Sequence, residues 1–505
     1  MVTAAFRSTA VGEISNAVER CRRGFQNNLV RTISQRKHVL RQFVKFLNEH
    51  EEGLCEACTA DLRKHPFETK VTEIAMARNE AISGIDSLES WMKPTKAHLE
   101  GIQLIEDCVI QRDPKGVILI IGAWNYPVQL TLVGAIGAVT AGNTVVLKPS
   151  EVSPHVAQYL ADHLNDYVPR EICAVVNGAI PETTTLLEQR FDHIMYTGND
   201  RVARIVMAAA AKNLTPVTLE LGGKSPTIVD DTCGDLNVVA QRILWGRTVN
   251  AGQTCIAPDY ILVKPNVKAA LIEAIKKARV KFLGDDPKAS ASYARIVNDM
   301  HFKRVTALMK GGKVVVGGET DPATRFIAPT VLDDVDLTHP LMTDEIFGPL
   351  LPLVPYNTMQ EAIDFINTRE KPLALYIFSG DSKFVNTITE MTSSGAVVVN
   401  DTLMHAGVEG LPFGGVGNSG MGAYHGKHTF DEFTHKKSVM RRKLSLEVAN
   451  ELRYPPYTDQ KLGWISFLLF KTSESKPWKK YVALCAVAAI AAAIVLGVGF
   501  GTKKF

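Results

Sequence analysis

"GVILIIGAWNYPVQLTLVGAIGAVTAGNTVVLKPS" occupies residues 116–150, and its reading decides the fold class. Residues 116–123 form an uninterrupted apolar run, as expected of a strand buried on both faces of a parallel sheet. An apolar helix is expected over 130–142 and a second strand over 144–150. A polar helix start follows at Ser153, then strand-like stretches at 171–178 ("EICAVVNG") and 193–198 ("HIMYTG"). Strands alternating with helices every roughly 20–30 residues predict a doubly wound parallel sheet. Right-handed crossovers and ligands at the carboxyl ends of the strands should accompany it. Upstream, residues 13–95 read as helices; "RQFVKFLNEHEEGLCEACTADL" (41–62) spaces its apolar residues three and four apart. Downstream, a second α/β unit is expected to open near "PVTLELGGKSPTIV" (216–229), with further strands at 259–263, 313–319 and 395–400.

At 505 residues the chain should hold more than one domain. Apolar content of 46% and charged content of 22% suit a folded globular protein. A net charge of +3 without a concentrated basic patch argues against a nucleic-acid partner. The eight cysteines are scattered, and residues 1–25 lack the apolar core of a signal peptide. They read as reduced thiols. Cys55 and Cys58 have no second pair or histidine cluster to complete a metal site, so no metal is expected.

The C-terminal end differs. "YVALCAVAAIAAAIVLGVGF" (481–500) carries no charge over 20 residues, enough for a bilayer core of about 30 Å. Lys479 and Lys480 precede it; Lys503 and Lys504 follow. The expectation is a C-terminal transmembrane helix over 480–501, reached through a membrane-proximal segment, 446–479.

Three residues stand out chemically. Asn125 lies between two aromatics at the end of the first strand. A buried amide left unpaired costs about 1–3 kcal/mol, so Asn125 either caps the next helix or faces a reacting oxygen. Cys255, in "WGRTVNAGQTCIAPDY" (245–260), is either a packed small hydrophobe or a nucleophile. Glu220, in "VTLELGGKSP" (217–226), points away from Leu219 and Leu221, next to Gly222 and Gly223. It is either an ion-paired structural carboxylate or a general base.

Together "AWNYP" (123–127), "LELGGKSP", "NAGQTC", "EIFGP" (345–349) and "LPFGGVGNSGMG" (411–422) resemble the aldehyde dehydrogenases, in the family's order, over roughly residues 5–450. The N-terminus and apolar tail are similar to its class 3 branch, in particular the membrane-bound fatty aldehyde dehydrogenases. The resemblance implies Cys255 as nucleophile, Glu220 as general base and Asn125 as donor to the oxyanion. It implies cofactor contacts from Trp124, Lys148, Glu151, Gly198, Gly222, Glu345 and Phe347. Glu151 would accept ribose hydroxyls and repel a 2′-phosphate, which favours NAD, with NADP as the alternative. The implied architecture is a Rossmann-like NAD-binding domain (1–94 and 115–220), a catalytic domain (221–412) and a small β oligomerisation element (95–114 and 413–445). Implied partners are an aliphatic aldehyde, membrane lipid and a second copy in a homodimer. The implied location is tail-anchored with the catalytic domain in the cytosol, at the endoplasmic reticulum, with peroxisome or mitochondrial outer membrane as alternatives. The expected reaction is oxidation of long-chain aldehydes; competing readings are short-chain or aromatic substrates, or a non-catalytic scaffold.

Overall fold

The computed structural model describes residues 5–99, 106–444 and 447–469. The described residues of Met1–Trp91 and Pro114–Thr434 form one compact unit, and those of Met92–Asp113 and His435–Phe505 another.

The larger unit holds two main sheets. The first contains Val117–Ile121, Thr144–Lys148, Cys173–Val175, His193–Thr197 and Val217–Glu220, all parallel. Numbered along the chain, these five strands lie side by side in the order 3-2-1-4-5. This is the doubly wound order, in which a crevice opens at the carboxyl ends where the winding reverses. Here that point lies between Val117–Ile121 and His193–Thr197, so the segments after them, with Asn125 and Gly198, flank the crevice. A sixth strand, Gly420–Met421, runs antiparallel on Val217–Glu220 and pairs Gly420 with Glu220. Every residue of Val117–Ile121 is buried, and so is all of the following helix from Leu130 to Thr140. That is why neither shows the hydrophobic-polar alternation of a half-buried element.

Seven strands make the second sheet, from Lys313–Val316 at one edge to Ala396–Val399 at the other. Only the edge strand Lys313–Val316 is antiparallel to its neighbour. The two sheets meet within the stretch 216–229. Val217–Glu220 completes the first sheet, and Pro226–Val229 begins the second. Gly222 and Gly223 lie between them, and Gly223 has φ +148°, a value that L side chains rarely adopt.

In the smaller unit, Thr95–Lys96 and Asp107–Pro114 pair antiparallel in a three-stranded sheet completed by Thr434–Arg441. Lys437 pairs with Asp113 and Arg441 with Asp107. The helix Asp459–Leu469 ends the described chain. Among the described residues no helix is long and apolar enough to cross a membrane. The expected anchor at 480–501 lies outside them.

The first helix, Val11–Gln26, packs Gly24 so closely that a Cβ there would overlap the main-chain carbonyl of Glu171. Gly24→Ala should therefore cost about 1–3 kcal/mol. It should lower the thermal unfolding midpoint followed by circular dichroism. An unchanged midpoint would show that this helix shifts without penalty.

Candidate active site

The two sheets bring opposite strand ends together. Glu220, Asn125 and Gly198 follow carboxyl ends of the first sheet, whereas Cys255 precedes Tyr260–Val263 and Glu345 precedes Leu350–Pro355. On the second sheet, the candidate residues thus stand at amino ends.

Cys255 follows a tight turn in which two consecutive non-glycine residues, Asn250 and Ala251, hold φ of 51° and 52°. Gln253 fixes this turn. Its side-chain amide donates to the carbonyls of Asn250 (2.9 Å) and Arg295 (3.0 Å), and its Oε1 accepts from the Val297 N–H (2.9 Å). The Thr254 hydroxyl meets the Tyr126 hydroxyl at 2.7 Å. Asn125 is 3% exposed, and its Nδ2 donates to the Gln253 carbonyl at 3.0 Å. Its amide is thereby fixed two residues from Cys255, with a second N–H to spare. The helix-cap reading of Asn125 does not apply, because no side chain caps the helix Gln129–Thr140.

Glu220 is buried, and neither carboxylate oxygen has a hydrogen-bond partner among the described residues. The ion-paired reading therefore fails. Burial pushes this carboxyl well above its ordinary value, and the charge of Glu432 adds to the push. Glu345 is pushed up to about 8, first by burial and then by Asp259, against the opposing pull of the Gly223 N–H, Lys224 and Arg247. Its carboxylate lies against Gly222, where any Cβ would collide with it. Its main chain is anchored by Arg304, which donates to the carbonyls of Glu345 (3.2 Å) and Ile346 (2.7 Å). The Cys255 thiol is also driven well up by burial, then by Glu345 and Glu220. The N–H groups of Cys255 and Ile256 act against that shift.

Trp124 and Phe347 meet edge to face at 5.2 Å between ring centroids. Gly252 lies so close to the Gly348 carbonyl that a side chain there would overlap it, which joins the Cys255 turn to the Phe347 turn. Lys148 reaches Glu151 at 2.5 Å, with the lysine buried and the glutamate partly exposed. Gly198 links His193–Thr197 to the helix Asp200–Ala211. Beside it the Thr197 hydroxyl is buried without a partner among the described residues. Sequence reading missed Tyr126, Gln253 and Thr254 as supports, although all three stand inside quoted motifs. It also missed Arg304 and the buried Asp259, whose carboxylate pairs with Lys224 (2.5 Å) and Arg247 (3.3 Å) and accepts from the Ile346 N–H (3.2 Å). No local pattern announces those.

A family model described as the aldehyde dehydrogenase family matches residues 1–439. The chain belongs to the aldehyde dehydrogenase family. Aldehyde dehydrogenase family 3 member A2 of Pongo abelii is 48% identical over 456 residues, covering 90% of this chain and 93% of that one. The mouse protein named aldehyde dehydrogenase, dimeric NADP-preferring, is 48% identical over 446 residues, 88% of this chain and 98% of its own. A substrate-bound Staphylococcus aureus AldH superposes with a TM-score of 0.87 at 40% identity, covering 90% of this chain and 98% of that one. The protein is an aldehyde dehydrogenase that uses NAD(P).

The junction fits such a dinucleotide. Buried oxygens on Thr197 and Glu220 that have no partner among the described residues, and the partly exposed Glu151 carboxylate, offer polar groups to a ligand.

Because burial and two carboxylates oppose ionisation of Cys255, the free enzyme should hold less thiolate at pH 8 than an exposed cysteine. Its alkylation by iodoacetamide, followed by mass analysis of the Cys255 peptide, should keep accelerating from pH 7 to about 10. Glu345→Gln should speed it at a given pH. A plateau below pH 8 would show that the thiolate is already formed.

Proposed function

We propose that the protein oxidises long-chain aliphatic aldehydes to fatty acids, with NAD preferred, while tethered to a membrane by residues 481–500. The observation that carries the catalytic part is the convergence on one turn: the Asn125 amide bonded to Gln253, beside Cys255, with an unpartnered Glu220 nearby. The apolar run 481–500 and the motif resemblance to fatty aldehyde dehydrogenases support the substrate class and the tether.

Cys255 is the nucleophile. Its proton passes to the Glu220 carboxylate, which is a stronger base for being buried. The Cys255 sulfur bonds to the aldehyde carbon, and the carbonyl electron pair moves to oxygen. Asn125 Nδ2 and the Cys255 N–H donate to that oxygen; removing one such donor typically costs about 10²–10³ in rate. Bound NAD(P) supplies the acceptor for the hydride that leaves this carbon, and a thioester remains on Cys255. Glu220 releases the Cys255 proton to solvent and then takes one from water; hydroxide adds to the thioester, and the Cys255 thiolate leaves and regains a proton from Glu220. Trp124, Lys148, Glu151, Gly198, Gly222, Glu345 and Phe347 would hold the dinucleotide. Lys148 and Glu151 would meet the adenosine ribose, Gly198 the pyrophosphate, and Glu345 and Phe347 the nicotinamide end. The mouse relative is named NADP-preferring, so the charge of Glu151 is the feature that favours NAD here.

The segments 95–114 and 413–445, whose strands Thr95–Lys96, Asp107–Pro114 and Thr434–Arg441 share one sheet, are the proposed homodimer element, a reading supported by the mouse relative's being named dimeric.

Glu220→Gln should slow thioester hydrolysis more than hydride loss. Rapid mixing should show a burst of NADH and then a slow steady state. A first turnover as slow as the later ones would assign Glu220 to activating Cys255 alone.

Deleting residues 470–505 should move the enzyme from membranes to the soluble fraction while it still oxidises short-chain aldehydes. The full-length enzyme should show kcat/KM rising with aldehyde chain length. A full-length protein recovered in the soluble fraction would remove the tether. A kcat/KM that falls with chain length would remove the fatty substrate.

A further inference from the structure

The loops that carry Asn125 and Cys255 share a support that belongs to neither. The helix Glu51–Leu62 ends in a left-handed residue, Arg63 (φ 52°), after which Lys64 turns inward and is fully buried. The Lys64 ammonium donates to Glu73 Oε1 (2.6 Å) and to the main-chain carbonyl of Asn125 (3.1 Å), and it stands 4.2 Å from the centroid of the Tyr126 ring. Glu73 lies in a π-helical turn, Lys70–Ile74, and its other oxygen accepts from the Val128 N–H at 2.8 Å. Such turns are uncommon, and they widen a helix enough to redirect a side chain. Glu68, on the short helix Pro66–Thr69, accepts from the Asn250 N–H at 2.8 Å. Asn250 closes the circuit by donating its Nδ2 to the Asn125 carbonyl at 2.7 Å.

Three charged side chains from residues 64–73 therefore grip both loops by their main chains. The Asn125 carbonyl receives Lys64 and Asn250. The strained Asn250 is held through its N–H by Glu68. Val128, just before the next helix, is held by Glu73. Removing any one of these leaves the direct bonds between the loops, from Asn125 to the Gln253 carbonyl and from Asn250 to the Asn125 carbonyl, but takes away a contact that fixes where the joined loops stand. A shift near 1 Å at reacting groups can cost about 100-fold in rate.

We propose that Lys64, Glu68 and Glu73 are positioning residues for aldehyde oxidation: they lock the Asn125 loop to the Cys255 turn, so that the Asn125 amide stays aimed at the oxygen of the Cys255 adduct. The proposal rests on the reading of Asn125 as the donor to that oxygen. A purely structural ion pair would support folding without acting through Asn125, and a double-mutant cycle separates the two cases.

The test uses the full chain with NAD and one aldehyde, comparing wild type, Lys64→Met, Asn125→Ala and the double variant. Lys64→Met should lower kcat by about 10–100-fold while KM stays within about threefold. In the Asn125→Ala background the same change should have less than about a twofold effect, because the group it positions is gone. An equal factor in both backgrounds overturns the proposal, as does a Lys64→Met enzyme within about threefold of wild type. Asn125→Ala within tenfold of wild type would instead overturn the role of Asn125 itself, and the proposal with it. Since Lys64→Met strands the buried Glu73 charge and could prevent folding, Lys64→Met/Glu73→Gln provides the second arm. It removes the Lys64–Glu73 ion pair as a unit and keeps an acceptor for the Val128 N–H. Its thermal midpoint should return close to that of wild type while kcat stays low. Recovery of kcat together with stability would make the pair purely structural and overturn the proposal.

Discussion

Gly222 and Gly223 carry the chain from the last parallel strand of one sheet into the first strand of the other, and the rest of the site depends on how little room they occupy. At Gly222 the Glu345 carboxylate fills the space where a side chain would stand. Gly223 takes a φ that other residues resist. Because this joint is bare backbone, the carboxyl ends of the first sheet approach the amino ends of the second. The Cys255 turn and the Asn125 loop can then share hydrogen bonds. A bulky residue at the joint would separate the sheets and leave each with half of the chemistry.

The joint is also largely buried, and burial sets its acid–base behaviour. Three acidic groups, Glu220, Glu345 and Cys255, are each pushed toward the protonated form first by burial and then by neighbouring carboxylates: Glu432 for Glu220, Asp259 for Glu345, and Glu345 with Glu220 for Cys255. Fixed N–H groups around Cys255 are oriented for charge that arises later, when a carbonyl oxygen becomes negative. Orienting them in advance avoids reorganisation at that moment. The supporting charges, such as Asp259 with Lys224 and Arg247, are paired and stand one layer behind.

Much of this was legible in the chain. The apolar run at 116–123 and the repeating strands after it gave the doubly wound sheet, because full burial leaves a plain compositional mark. Cys255, Asn125, Glu220, Gly222, Glu345 and Phe347 sit in short local motifs, and the structure brings them to one junction. Lys64, Glu68 and Glu73 escaped notice for a physical reason. They lie in a charged helical region where Lys and Glu are normally solvated, and the π-helical turn that aims Glu73 inward has no sequence signature. Asp259 and Arg304 escaped because their partners are remote in sequence. The tail at 481–500 is legible as composition alone.

The antiparallel strand Gly420–Met421 has a consequence for the order of events during synthesis. Glu220 sits on a strand whose outer neighbour is supplied 200 residues later, by the pairing of Gly420 with Glu220. Glu80, near the other end of the chain, accepts from the Gly426 N–H and the Thr429 hydroxyl. Contacts so distant along the chain close late and slowly. A ribosome-bound chain that already contains Cys255, Asn125 and Glu220 therefore still has an open sheet edge beside its base. Its catalytic junction is completed only after residue 429 has emerged, shortly before the apolar tail.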